Sequence, residues 1–259
     1  MLTYKKTTTV FFILLFTLNI FGIFWMHVHF YQYAILVVSY LALSVSMSFF
    51  IGSGYHMKAA CHAETEEKIV ALTFDDGPDK ELTSNLLNQL KVLEIPATFF
   101  CIGKHIDGNE VLLKRMHSEG HLIGTHSYSH SNWFDLFSPS RMRKELQDSS
   151  TEVKNSIGLK PLFFRPPYGV INPMLKSALK GTGLHVIGFS NRAWDTSSKN
   201  KEVILARILK NLKPGDIVLL HDTVKETIDI ITPLVEQIKQ EGYKIVSLDQ
   251  LLKIKAYEA

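Results

Sequence analysis

The sequence predicts an α/β fold, a closed but irregular (β/α) barrel of about seven strands behind a two-helix transmembrane hairpin. Three observations predict it. Two uncharged apolar runs crowd into the first fifth of the chain. Beyond residue 66, short Val/Ile/Leu/Phe runs alternate with amphipathic ones. Ionisable side chains then recur where the short runs stop, as they do at the C-terminal rim of such sheets.

The membrane end comes first. After Lys5 and Lys6 the stretch Val10 to Trp25 carries no charge, and a second uncharged run covers Ala34 to Gly52. Spans are expected at about 8–26 and 33–52, each near the roughly 20 residues a membrane helix needs. The joining piece MHVHFYQY suits a tight hairpin, with His27 and His29 solvated at the interface. A cleaved signal peptide is the rival reading, since KAACHA offers small residues, but a second long apolar run ahead of that site argues against it. Residues 1–66 are therefore expected to anchor the chain and 67–259 to form the soluble domain. Two spans put both termini on one side. The nearest positive charges are Lys5, Lys6 and Lys58, so the expected side is the cytoplasmic face of an inner membrane.

In the soluble part, KIVALTF, ATFFCIG, HLIGTHS, LFFRP, HVIGFS, DIVLLHD and YKIVSL read as strands. Helix-like stretches lie between most of them, several opening on Ser or Asn and closing on Gly, with Pro139 and Pro173 near helix starts. Seven strands in roughly 190 residues fall short of a full eight-unit barrel. A net charge of +3, with no Lys/Arg cluster on an aromatic strand, excludes nucleic acid as a partner. Cys61 and Cys101 are the only cysteines, too few for a disulfide framework or a zinc ribbon, and Cys101 reads as a buried free thiol.

Five strand ends carry the chemistry. Asp75 and Asp76 close the first, and His126 and His130 follow the third. Arg165 ends LFF, Asp195 follows HVIGFS, and His221 with Asp222 ends DIVLL. Each has a bland reading: Asp-Asp-Gly-Pro as a turn, His-x3-His as surface residues, Asp222 or Thr223 as a cap for the next helix. Their coincidence at one end of the sheet favours a site. One carboxylate and two imidazoles suit zinc or a similar divalent ion with a position left for water. A spare carboxylate can take a proton from that water and a remote histidine can give one to a leaving group. Alternation along a strand would turn Asp75 and Asp76 to opposite faces, one as ligand and one as base. A two-carboxylate glycosidase fits poorly, since adjacent acids do not flank a bond.

The motifs TFDDG, HSYSH, RPPYG and LLHD, in this order over nearly all of Glu67 to Leu252, resemble the polysaccharide deacetylase family of carbohydrate esterases, the NodB-homology domain. The resemblance implies a distorted (β/α) barrel with Asp75 as general base and Asp76, His126 and His130 as metal ligands, the ion being zinc, with cobalt, nickel or manganese as alternatives. Arg165 would hydrogen-bond Asp75 and lower its pKa. His221 would be the general acid, charged by Asp195. The backbone N–H of Tyr168 would stabilise the oxyanion, and Leu219 would help form the acyl pocket. The family's fourth motif, Asp-x-x-Asp-Trp, is altered to SNRAWDT: Arg192 stands in place of the first Asp, and Trp194, a substrate-binding position, precedes Asp195. This implies an altered substrate shape with the chemistry retained.

The expected activity is hydrolysis of an N-acyl, most simply N-acetyl, group on an amino sugar in a glycan or a lipid-linked sugar. Water attacks the amide carbon as Asp75 takes its proton, and His221 protonates the departing nitrogen. The alternatives are an O-acetyl carbohydrate esterase and a catalytically inactive sugar-binding membrane protein. No protein partner is predicted. His105, His117, His121 and His185 have no role legible in the sequence.

Overall fold

The computed structural model describes residues 2–24 and 27–258. Helices α1 (Tyr4–Phe24) and α2 (Phe30–Ser48) pair as an apolar hairpin. Their 21 and 19 residues reach about 30 Å at 1.5 Å per residue, long and apolar enough to cross a membrane. Both differ from the expected limits. The first helix begins at Tyr4 and takes Lys5 and Lys6 into its first turn. The second stops at Ser48, not at residue 52, and Ile51–Ser53 form a tight turn ending on Gly54 at φ 62°. The expected end of the first span, at residues 25 and 26, lies outside the described residues.

The root of the hairpin is fastened to the α/β part of the chain. Tyr4 N–H donates to the Tyr55 carbonyl at 2.9 Å, and Ser48 Oγ meets His56 Nε2 at 3.0 Å. Ile171 N–H donates to the Ser48 carbonyl and Lys176 Nζ to the His56 carbonyl, at 3.0 and 2.8 Å. The connector then runs along the sheet, Ala60 bridging Ile187 and His62 bridging Asp216.

The sheet contains β1 (Ile69–Asp75), β2 (Thr98–Cys101), β3 (Leu122–Thr125), β4 (Phe163–Phe164), β5 (His185–Val186), β6 (Asn191–Arg192), β7 (Ile217–His221) and β8 (Lys244–Ile245). Its order is β5-β4-β3-β2-β1-β7-β6, all pairings parallel, with β8 against the start of β1. Each of the seven expected strands is present. The eighth, β6, lies inside SNRAWDT, where a polar pair gives no strand signal. No ladder joins β5 to β6 among the described residues, so the seam is crossed by Ile187–Ser190 and by the Ala60 bridge. The barrel is therefore curled but incompletely closed.

Helices α3 (Leu82–Leu93), α4 (Gly103–Ile106), α5 (Glu110–Ser118), α6 (Pro139–Ile157), α7 (Pro173–Ala178), α8 (Lys201–Lys210), α9 (Lys225–Gln240) and α10 (Leu248–Leu252) cover the sheet. The cap signals hold where the side chain can reach back: Ser138, Asn172 and Asn200 accept from the N–H three residues on, and Gly158 ends α6 in the left-handed region. Strand β1 is buried on both faces, packing Val70, Leu72 and Phe74 against α3 and α9. Burial on both faces is the condition of a parallel sheet. It sets the ends of β1 and β7 side by side, with Asp75 opposite His221.

Candidate active site

Asp75 is the last residue of β1, and Asp76 leaves the strand at φ 79°. The expectation that strand alternation separates the two carboxylates is corrected here: both face one pocket of about 170 Å³, because the left-handed turn at Asp76 swings its side chain round to the side of Asp75. Gly77 permits the turn, since a Cβ there would collide with the Asp222 carboxylate.

His126 follows β3, and His130 is brought back by left-handed residues at Ser127 and His130 itself. Glu145 on α6 clamps this loop, accepting from Tyr128 N–H at 3.1 Å, Ser129 N–H at 2.7 Å and the Ser129 hydroxyl at 2.9 Å. Ligand atoms of Asp76, His126 and His130 lie within 4.8 Å of one another. Nε2 of His126 and of His130 stand 3.6 and 3.5 Å from Asp76 Oδ1. His126 Nδ1–H donates to the Arg165 carbonyl at 2.7 Å, which fixes the tautomer and leaves Nε2 its lone pair. Burial pushes His126 down to about 3 and lowers His130 as well, so both imidazoles are neutral. Two neutral nitrogens and a carboxylate converging on one point fit a divalent metal ion.

Arg165 is buried beneath this group. Its Nη1 donates to Asp75 Oδ1 at 2.7 Å and to Thr73 Oγ1 at 2.8 Å, and its Nη2 to the Gly188 carbonyl at 2.8 Å. The guanidinium carbon sits 4.1 Å from the Phe100 ring centroid. One side chain thus ties β1 to the open seam. Burial raises the Asp75 pKa, and the pull of Arg165 and His221 does not cancel it. The expected lowering of Asp75 is thus corrected: Arg165 does act downward, but removal of a carboxylate from water is the larger effect. A raised pKa makes Asp75 the better proton acceptor.

In the same pocket, on the strand beside Asp75, His221 Nδ1–H donates to Asp195 Oδ1 at 2.9 Å. Oδ2 of Asp195 accepts from His221 N–H at 2.8 Å and from the Thr227 hydroxyl at 2.6 Å. Burial disfavours the His221 imidazolium, but Asp195, Asp75 and Asp76 outweigh it and bring its pKa to about 9. Asp195 itself is lowered despite burial, by His221 and Thr227. His221 is therefore charged at neutral pH, with Nε2 4.0 Å from Asp76 Oδ2.

Tyr168 takes φ 57°, and among the described residues its N–H meets no acceptor. Its hydroxyl donates to Asn132 Oδ1 at 2.8 Å, and its ring lies 4.8 Å from that of His130. Leu219, on β7, forms an apolar wall of the same pocket. Trp194 does not line this pocket; it stands beside it, 46% exposed, with the Arg192 guanidinium 3.9 Å from its ring centroid.

Some residues here carried no sequence signal. His105 donates Nδ1–H to the Asp76 carbonyl at 2.9 Å. Thr73, Thr227, Glu145 and Phe189 support or line the site from other elements. Helix α9 is capped by neither Asp222 nor Thr223 but starts after Val224, because Asp222 turns inward to accept from the Thr83 hydroxyl at 2.6 Å. Burial pushes Asp222 up to about 7.

Comparison with known proteins agrees with this geometry. The family model described as polysaccharide deacetylase matches residues 62–187. A peptidoglycan-N-acetylglucosamine deacetylase of Bacillus cereus is 34% identical over 197 residues, 73% of this chain and 90% of the relative. The peptidoglycan-N-acetylmuramic acid deacetylase PdaC of Bacillus subtilis is 32% identical over 192 residues, 74% of this chain but only 40% of that protein. Among solved structures, a peptidoglycan N-acetylglucosamine deacetylase bound to a hydroxamate-type benzamide superposes with a TM-score of 0.73 at 29% identity, covering 77% of this chain and 95% of that one. A Bacillus anthracis protein described as a CE4 family pseudoenzyme superposes with a TM-score of 0.68 at 26% identity, over 74% of this chain and 67% of that one. On these similarities the chain belongs to the polysaccharide deacetylase family, a family of hydrolases.

Proposed function

We propose that this protein is a membrane-anchored, metal-dependent hydrolase that removes the N-acetyl group from an amino sugar. The observation that carries the reading is the presence of a buried carboxylate and a charged donor beside three converging ligand atoms: Asp75 bonded to Arg165, and His221 bonded to Asp195. Asp76, His126 and His130 would hold the ion, zinc or a similar divalent metal. When bound, such an ion supplies a lowered water pKa and a polarised acyl oxygen.

The chain's own residues do the rest. Asp75 accepts the proton of the attacking water while Arg165 holds the carboxylate in place. The Tyr168 N–H offers a hydrogen bond to the developing oxyanion. Leu219 and its neighbours take the acyl methyl group. His221 delivers its proton to the sugar nitrogen, so that acetate and a free amine separate. An amine needs that proton in order to leave, whereas an alkoxide needs it less. The charged state of His221 supports the amide over the O-acetyl ester.

The relatives' substrates support an N-acetylglucosamine or N-acetylmuramic acid residue. Two lipid-length helices support membrane anchoring, and the lysines at residues 5, 6 and 58 favour the cytoplasmic side. The test is acetate release from an N-acetylglucosamine oligomer by the metal-loaded full chain, against the Asp75→Asn variant. Equal acetate release by the two would falsify the assignment.

A further inference from the structure

Beside the catalytic pocket lies a second, larger hollow. Tyr168, Gly169, Phe189 and Arg192 line both, so the two adjoin along these residues. The second has a volume of about 660 Å³ and reaches Met47 at the end of α2 and Phe49, Phe50 and Ile51 just beyond it. Phe49 and Phe50 are each 64% exposed. These residues directly follow an apolar helix of membrane-spanning length, so the far end of the groove opens where the bilayer surface would be.

The two hollows differ in chemistry. The first holds the candidate metal ligands, the second adds Trp194, Met47, Phe49 and Phe50, and Arg192 and Phe189 line both. Arg192 lies at the junction. Among the described residues its Nε is buried without a hydrogen-bond partner and its guanidinium has no carboxylate within ion-pair distance. Its guanidinium carbon is 3.9 Å from the Trp194 ring centroid and 5.7 Å from that of Phe189. A cation held over aromatic rings between a sugar-sized pocket and an apolar channel is complementary to one order of groups: sugar, then anion, then hydrocarbon.

Resting on the deacetylase reading above, we propose that the substrate is an N-acetylated amino sugar joined through phosphate to a long-chain lipid, taken from the membrane along this groove. The sugar sits over Asp75 and Asp76, the phosphate on Arg192, and the first segment of the lipid against Phe49, Phe50 and Trp194. The altered fourth motif then has a function, since an Asp in place of Arg192 would repel the phosphate. The hairpin is part of the binding site as well as an anchor.

The experiment compares acetate release from two substrates by the zinc-loaded full chain in phosphatidylethanolamine–phosphatidylglycerol vesicles. One is polyisoprenyl-phosphate-linked N-acetylglucosamine in the same vesicles, and the other is a soluble N-acetylglucosamine tetramer. We expect kcat/KM on the lipid-linked sugar to be at least about tenfold higher. Arg192→Gln should remove about tenfold of that preference, the loss of a charge-assisted contact, and the double variant Phe49→Ser, Phe50→Ser should reduce it separately. Arg192→Lys, which keeps the charge without the fork, should fall between wild type and Arg192→Gln. Equal or better turnover of the tetramer overturns the proposal and leaves the deacetylase reading standing, the groove then belonging to a glycan polymer. A preference that survives both variants overturns the groove assignment. Inactivity on both substrates overturns the deacetylase reading and this proposal with it.

Discussion

His221 Nδ1 and Asp195 Oδ1 lie 2.9 Å apart, and the same carboxylate also binds the His221 backbone N–H. The two contacts fix the imidazole's orientation and its charge together, because the carboxylate that turns the ring also stabilises the imidazolium. Raised from about 6.5 to about 9, the histidine is a donor across the physiological range.

This pair predicts a pH profile. Activity should fall as pH rises through about 9, where His221 loses its proton. Asp195→Asn should move that alkaline limb down by at least about one unit and lower kcat by about 10- to 1,000-fold. The stability contribution has the same sign: a raised histidine stabilises the fold fully below about 6.5 and ceases to do so as pH rises through about 9. Profiles of kcat/KM with pH for the two proteins check the first point, and thermal melts at pH 6 and pH 10 the second.

Asp75→Asn should lower kcat by about 100- to 10,000-fold, the range for loss of a general base. Metal affinity should change little, since Asp75 is not among the converging ligands. Calorimetric zinc titration beside steady-state rates separates the two effects. A large loss of metal affinity would transfer Asp75 to the ligand set.

Removing metal with a chelator should abolish activity, and adding zinc or cobalt back should restore it. His126→Ala should prevent restoration, because its Nε2 is the buried nitrogen of the set. Restoration by magnesium alone would exclude a two-nitrogen site.

Glu145→Ala should weaken metal binding by about 10- to 100-fold without touching a ligand, because its carboxylate holds Tyr128 and Ser129 between the two histidines. Glu145→Gln should recover part of the loss. Zinc titration measures both, and circular dichroism confirms that the fold is retained.

Gly77→Ala should destabilise the domain by about 1–3 kcal/mol, the usual cost of overpacking, because the new methyl meets the Asp222 carboxylate. Pairing it with Asp222→Ala should cost less than the sum of the two single changes. Denaturant melts of the three variants test this coupling.

The sequence alone determined the order of strands and helices and the identity of most of the chemistry-bearing residues. Hydrophobic periodicity, caps and strand ends are local properties, so TFDDG, HSYSH and LLHD could be placed at the rim of a sheet before any contact was known. What depended on partners distant in the chain was decided only by tertiary structure. Both carboxylates of Asp75 and Asp76 face one pocket through a left-handed turn, which strand alternation does not predict. Asp222 binds Thr83 instead of capping a helix, and Asp75 is raised because burial exceeds the pull of Arg165. Strand β6 exists because β7 supplies the other half of its ladder. Arg192, in sequence a departure from a motif, stands at the junction between the catalytic pocket and a groove reaching the end of α2. Each of these depends on which surfaces meet, and that is settled by packing and by the removal of charge from water.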